Sequence, residues 1–254
     1  MSRRGASGGR KPARPGRPST PGRGSGAKRA APSKAPAKKG SPKREKVVFD
    51  APRPADAAPR TLRLGAVPGA TPGRWIDTWS TRMPHVRLEL VPLAFRSQRE
   101  ALVDGIVDLA LVRAPFATEG MHAIPLYEEL PVVVVSSESH LLAADELSPA
   151  DLAGETLLTS AEDVWDDLDL PTVPSRVPPL NTVEDAIATA AAGVGIVVAP
   201  MSLARLHHRK DVEYRVLREA PVSPVLLAWP SGSTTEDIEA FVGIVRGRTA
   251  NSSR

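Results

Sequence analysis

An α/β domain built on a parallel sheet, preceded by a disordered basic tail, is the fold class this sequence predicts. Three observations carry that expectation. The 254 residues hold 33 Lys and Arg against 29 Asp and Glu, but the charge is divided: residues 1–60 carry 17 basic and three acidic side chains, a net charge of +14, and the remainder carries −10. From Thr61 onward, short apolar runs alternate with amphipathic segments, and strand–helix–strand units with short connections imply a parallel sheet with right-handed crossovers. Finally, cysteine is absent, which leaves no disulfide, thiolate metal site or cysteine nucleophile. No run approaches 18 apolar residues and no secretory signal pattern opens the chain, so a cytoplasmic protein is expected.

Residues 1–46 are basic and rich in Pro, Gly, Ala and Ser. Their only apolar side chains are Met1 and scattered alanines, too little to offset the entropy of ordering. Val47, Val48 and Phe49 form one apolar run, and Pro52, Pro54 and Pro59 then mark residues 50–60 as a linker. Basic side chains that neutralise phosphates release counterions and bind DNA or RNA without reading bases. Ala27–Arg44 is similar in composition to the tails of linker-histone-like, nucleoid-binding proteins, so nucleoid association is one expectation. With Phe49 its single aromatic, the tail offers no platform for base stacking. A merely solubilising extension is the alternative.

Leu62–Val67 reads as a first strand, followed by a helix with Thr71 as N-cap and Pro72 at its first position. Arg87–Pro92 is a second strand. Ser97-Gln-Arg-Glu100 has the form of a capping box opening a second helix, which Gly105 stops. Val107–Val112 is a third strand. Pro131–Val135 is wholly apolar and largely β-branched, as in a strand buried on both faces. Ser148-Pro-Ala-Asp151 starts a short helix, Glu155–Leu158 is a strand, and Thr182 caps a helix running to Ala192. Val194–Ala199 and Val225–Trp229 are further strands. Ser233-Thr-Thr-Glu236 opens a last helix, which sets Ile238, Phe241, Val242 and Val245 on one face. Trp75, Trp79 and Met83 share another helix face, fit for core packing or for a subunit interface.

These residues resemble a known family. Leu62-Arg-Leu-Gly65, Pro84-His-Val-Arg-Leu-Glu-Leu90, Leu102-Val-Asp-Gly-Ile-Val-Asp-Leu-Ala-Leu-Val112, Leu147-Ser-Pro-Ala-Asp-Leu-Ala-Gly-Glu-Thr-Leu-Leu158 and Ala191-Ala-Gly-Val-Gly-Ile-Val-Val-Ala-Pro200 occur in the order and spacing of the effector-binding (substrate-binding) domain of LysR-type transcriptional regulators. The resemblance covers roughly residues 61–248. It implies a two-lobed fold like a type 2 periplasmic binding protein, with a central cleft and two crossings between lobes. Lobe one would comprise about residues 61–127 plus 229–250, and lobe two about 128–228. It further implies a ligand-sensing protein of transcription regulation, and a homodimer is one expectation. Residues 1–60 contain neither the helix-turn-helix nor the linker helix that precede this domain in the family, so a nucleic-acid-associated protein acting through its tail is the alternative function.

In open α/β sheets, ligands bind beyond the carboxyl ends of strands, where helix N-termini point inward. Pro68, Gly69 and Thr71 follow the first strand, Ser97 the second, and Arg113 closes the third. Thr159 and Ser160 follow a strand of the second lobe, and Thr182 starts a helix there. By order along the chain these match the positions that line the family's cleft. Helix starts and an arginine fork favour an anionic metabolite. The alternative is that Thr71, Ser97 and Thr182 serve only as caps and Arg113 as a surface charge.

Catalytic chemistry finds no support. His85, His122, His140, His207 and His208 show no metal-binding spacing. The acidic run Glu162–Asp169 lacks the mid-loop glycine and terminal glutamate of a calcium loop. Gly193-Val-Gly195 follows a helix and precedes a strand, the reverse of a dinucleotide-binding turn. The expectation is a protein that is not an enzyme and carries no cofactor and no metal.

Overall fold

The computed structural model describes residues 60–247. The expected tail and most of its linker lie outside the described residues. Two sheets organise the rest. The first takes β1 (Arg60–Ala66), β2 (Val86–Pro92), β3 (Leu109–Arg113), β4 (Met121–Glu129) and, from far along the chain, β11 (Ser223–Pro230), in the order β2-β1-β3-β11-β4. The second is ordered β6-β10-β5-β9, from β5 (Pro131–Ser136), β6 (Glu146–Leu147), β9 (Val197–Pro200) and β10 (Val212–Leu217). A small parallel pair joins β7 (Thr156–Leu157) to β8 (Val173–Pro174).

β2, β1 and β3 run parallel, as the alternating pattern required. β11 is antiparallel to both β3 and β4, so the first sheet is mixed. Its place there corrects an expected boundary. The return crossing falls between Leu217 and Ser223, not at 228, because residues 223–230 pair along β3 and β4. The outward crossing is Leu130, between β4 and β5.

Helices cover both faces of the first sheet. α1 (Gly73–Arg82) and α5 (Glu236–Val245) pack on one face, and α2 (Gln98–Val103) on the other. Trp79 is the keystone of the first face. Its ring meets Phe241 at 5.9 Å between centroids, and its Nε1–H donates to the Val86 carbonyl at 3.0 Å. Trp75 and Met83 pack partly buried against the same cluster, so this stripe is core. In the second lobe, α3 (Val183–Ala191) and α4 (Met201–Leu206) bury Ile187, Ala190 and Leu203 against β5 and β9.

Two helix starts differ from expectation by one or two residues, and a third differs in its hydrogen bond. α1 begins after Pro72, whose carbonyl accepts from Trp75 and Ile76, so Thr71 caps nothing. Ser97 sits at the N-cap of α2, but its hydroxyl donates to Ala94 instead of accepting from the helix. In α5 the cap is Thr235, which accepts from Ile238 N–H, and Ser233 belongs to the preceding 3₁₀ turn. Thr182 does cap α3, accepting from Asp185 N–H at 3.0 Å. The Ser148–Asp151 box also forms: the Ser148 backbone N–H and hydroxyl both donate to Asp151 at 2.7 Å.

Replacing Trp79 by Phe keeps an aromatic ring in the core but withdraws the donor to Val86. The expected cost is about 1–3 kcal/mol, or roughly a 3–10 °C fall in Tm for a domain of this size, measured by circular dichroism on heating.

Candidate ligand cleft between the lobes

The carboxyl ends of β1 and β3, and the segment after β2, converge where the second lobe begins. Val67, Pro68, Phe95 and Arg113 from the first lobe face Glu162, Val164, Thr182, Leu203 and His207 from the second. Together they line a cavity of about 250 Å³, just below the ~300–1,000 Å³ span of typical small-molecule sites. Its walls are mainly apolar.

Arg113 is the structural centre of this region. Only 1 % exposed, it lies against Glu129, itself 8 % exposed, with 2.8 Å between Nη1 and Oε2. The same nitrogen donates to Ser223 Oγ at 2.8 Å, while Nη2 reaches the Pro68 carbonyl and Ser202 Oγ at 3.3 Å. Ser202 in turn donates to Glu129 at 2.5 Å. Arg113 is therefore neither a surface charge nor an idle fork awaiting an anion, since its charge is already matched by a buried carboxylate. Tyr127, near the same carboxylate, has its hydroxyl pKa pushed up by burial and then by Glu129.

The position of this pair is mechanical. Glu129 ends β4 at the outward crossing and Ser223 begins β11 after the return crossing. Arg113 thus ties the roots of both connections to β3, and Ser202 adds the first turn of α4 from the second lobe. Gln98 fixes β3 from behind: its amide donates to the Arg113 carbonyl at 2.7 Å and its oxygen accepts from Arg113 N–H at 2.8 Å.

Two further contacts bridge the lobes. Phe95, at 9 % exposure, is packed into the second lobe's core with Leu158, Val164 and Val183. Its neighbour Arg96 donates to the carbonyls of Ala161 and Asp163 and to the Asp166 carboxylate, the last at 2.7 Å. The hydrogen bond from Arg96 lowers the Asp166 pKa. Asp163 moves the other way, raised by burial although it accepts from both the N–H and the hydroxyl of Ser160.

The sequence-predicted residues divide among three places. Pro68, Arg113 and Thr182 line the cavity. Gly69 and Thr71 border a neighbouring hollow with Glu129 and Ser202. There Gly69 has φ of +82°, and a Cβ would collide with the Ser202 side chain, so glycine permits this close approach of the lobes. Thr159 and Ser160 line a third hollow beside Arg96, and the Ser160 hydroxyl is engaged by Asp163. Ser97 is exposed and lines none of these three hollows. Glu162, His207 and Phe95 were missed; only the apolar–polar mix around them was visible, because their convergence depends on the crossing of two lobes.

Comparison with known proteins fits this geometry. Residues 55–250 match the family model of the LysR substrate binding domain. The Hca operon transcriptional activator HcaR of Escherichia coli (strain K12) is 25% identical over 206 residues, covering 76% of this chain and 69% of that protein. The HTH-type transcriptional regulator CatR of Pseudomonas putida is 27% identical over 175 residues, covering 63% and 58%. Thus the chain spans 58–69% of the length of these curated relatives. Among solved structures, the BenM effector binding domain with its effector benzoate superposes with a TM-score of 0.63 at 22% identity, covering 75% of this chain and 92% of that one. The reduced OxyR regulatory domain from Pseudomonas aeruginosa gives 0.57 at 21% identity, with 74% and 95% covered. At these identities the structural likeness carries the two-lobed fold.

Removing one partner of a buried ion pair strands the other charge, at a cost of about 3–5 kcal/mol. Arg113→Met should therefore lower Tm by roughly 6–20 °C. The double variant Arg113→Met/Glu129→Leu should recover at least half of that loss, read by the same thermal denaturation.

Proposed function

We propose, from the premise that this chain belongs to the LysR substrate-binding-domain family, that it is a small-molecule-sensing protein of transcription regulation. The observation that carries this reading is the cavity walled by both lobes at the carboxyl ends of the first sheet. A ligand held there contacts Pro68 and the Arg113 edge on one side and Thr182 on the other. It stabilises whichever lobe arrangement it binds better, and only that difference in affinity can drive an output. Gly69, Thr71, Thr159 and Ser160 flank this position and respond to closure; Ser97 supports α2. A cytoplasmic homodimer belongs to the same reading.

The test is a thermal-shift screen of the full chain against amino acids, carboxylates, amides, amines and phosphorylated metabolites. A ligand at 100 times its Kd stabilises by about 2.7 kcal/mol, roughly a 5–10 °C rise. Leu206 borders the cavity and is 56 % exposed, so Leu206→Trp narrows the mouth without overfilling the core. That variant should lose at least half of any shift while its unliganded Tm stays within about 2 °C. Stabilisation that survives the variant unchanged places the ligand elsewhere and sinks the reading.

The charge of +14 over residues 1–60 supports a second element, nonspecific contact with nucleic acid that holds the sensor near DNA. Binding to duplex DNA should weaken about 10³–10⁵-fold from 50 to 200 mM salt if six or more phosphates are neutralised. Deleting residues 1–59 should abolish it, as measured by fluorescence anisotropy; binding that persists after deletion assigns the contact to the body.

A further inference from the structure

We propose that the interlobe cavity selects a small apolar ligand bearing an N–H donor, an amide or an amine, and discriminates against carboxylates. The inference rests on the cavity being the ligand site and concerns its charge. Helix starts attract anions because their first N–H groups are unsatisfied. At α3, which opens onto the cavity, two of the first three N–H groups are taken from within the chain. Glu162 accepts from Val183 N–H at 3.1 Å, and Thr182 Oγ1 accepts from Asp185 N–H at 3.0 Å. The first turn itself carries Glu184 and Asp185. A carboxylate ligand arriving here would meet a protein carboxylate where it needed a donor.

The charged and titratable groups facing the cavity from the elements around it are Arg113, Glu162, Glu184 and His207. Arg113 is neutralised by Glu129 behind it. His207 Nδ1 lies 3.8 Å from Glu184 Oε2, so a protonated imidazole there already has its counter-charge. With Arg113 matched and the imidazole set beside Glu184, Glu162 remains as the unmatched carboxylate on the wall. Its Oε2 holds Val183, which leaves the carboxylate able to accept a second hydrogen bond. The surrounding Phe95, Val164 and Leu203 side chains supply an apolar seat of the right size for a ring or a short branched chain.

The test titrates three matched probes, benzoate, benzamide and benzylamine, into the full chain and into Glu162→Gln by calorimetry. Glutamine keeps an oxygen for Val183 N–H and removes the charge. In the unmodified protein benzamide or benzylamine should bind about tenfold or more tightly than benzoate, and Glu162→Gln should erase most of that preference. Benzoate binding best, or a preference that Glu162→Gln leaves untouched, overturns the inference while the cavity stays a ligand site. If none of the three binds, hits from the thermal-shift screen decide: carboxylates overturn it, and amides or amines sensitive to Glu162→Gln uphold it. A screen with no hit at all removes the sensor reading and this inference together.

Discussion

A buried arginine carries a large desolvation penalty, and Arg113 can occupy the junction of the two lobes only because Glu129 meets it there. Most of what gives the cleft its shape follows from that pairing. Arg113 ends β3, Glu129 ends β4 and Ser223 begins β11, so one guanidinium gathers three strands at the place where the chain leaves the first lobe and returns. Ser202, donating to the same carboxylate, brings α4 to the junction from the other lobe. The pair is a fixed point about which the lobes are arranged, and its cost explains why its hydrogen bonds are so fully met.

The same pairing shapes what the cleft can bind. An arginine at a strand end beside a helix start would be expected to receive an anion, and the sequence invites that reading. Once Arg113 is matched by Glu129, and the start of α3 by Glu162 and Thr182, the electrostatic features that attract carboxylates are turned inward to hold the scaffold. Structural demand and ligand demand compete for the same groups, and at this junction the structural demand is met first. Fold fixes where a cavity lies, whereas its charge is set by a few side chains.

Much of the scaffold was legible because its signals are local. Pro131–Val135 and Leu109–Val112 are apolar runs whose burial needs no knowledge of partners, and Thr182 caps α3 by accepting from an N–H only three residues on. The caps that moved, from Thr71 to Pro72 and from Ser233 to Thr235, lie among other residues able to end or begin a turn, and backbone geometry chose between neighbours; Ser97 kept its place but not its hydrogen bond. β4 and β10 were overlooked because Met121–Glu129 and Val212–Leu217 mix charged and apolar residues, and Pro125 interrupts the first. The fate of Arg113 was illegible for a different reason. Its partners stand 16 and 110 residues away, and only the closed topology brings them together. Ser160 illustrates the same limit at short range: its partner Asp163 is three residues on, but the acidic run offered several equivalent candidates.

The two remaining bridges between the lobes differ in kind, and that difference determines how the cleft can work. Arg96 and Asp166 are both more than half exposed, so their ion pair is screened by water and salt and contributes little to closure. Phe95 is buried in the second lobe's core, where withdrawing an aromatic ring would expose a large apolar surface. Opening therefore has a weak electrostatic barrier and a stronger hydrophobic one, set by a residue that also walls the cavity. Under the proposed function, a ligand seated against Phe95 would strengthen the contact that holds the lobes together, so its binding energy and the closing energy would be expressed through one side chain. Arg96, fixed to the backbone of Ala161 and Asp163, then orients that contact without dominating it.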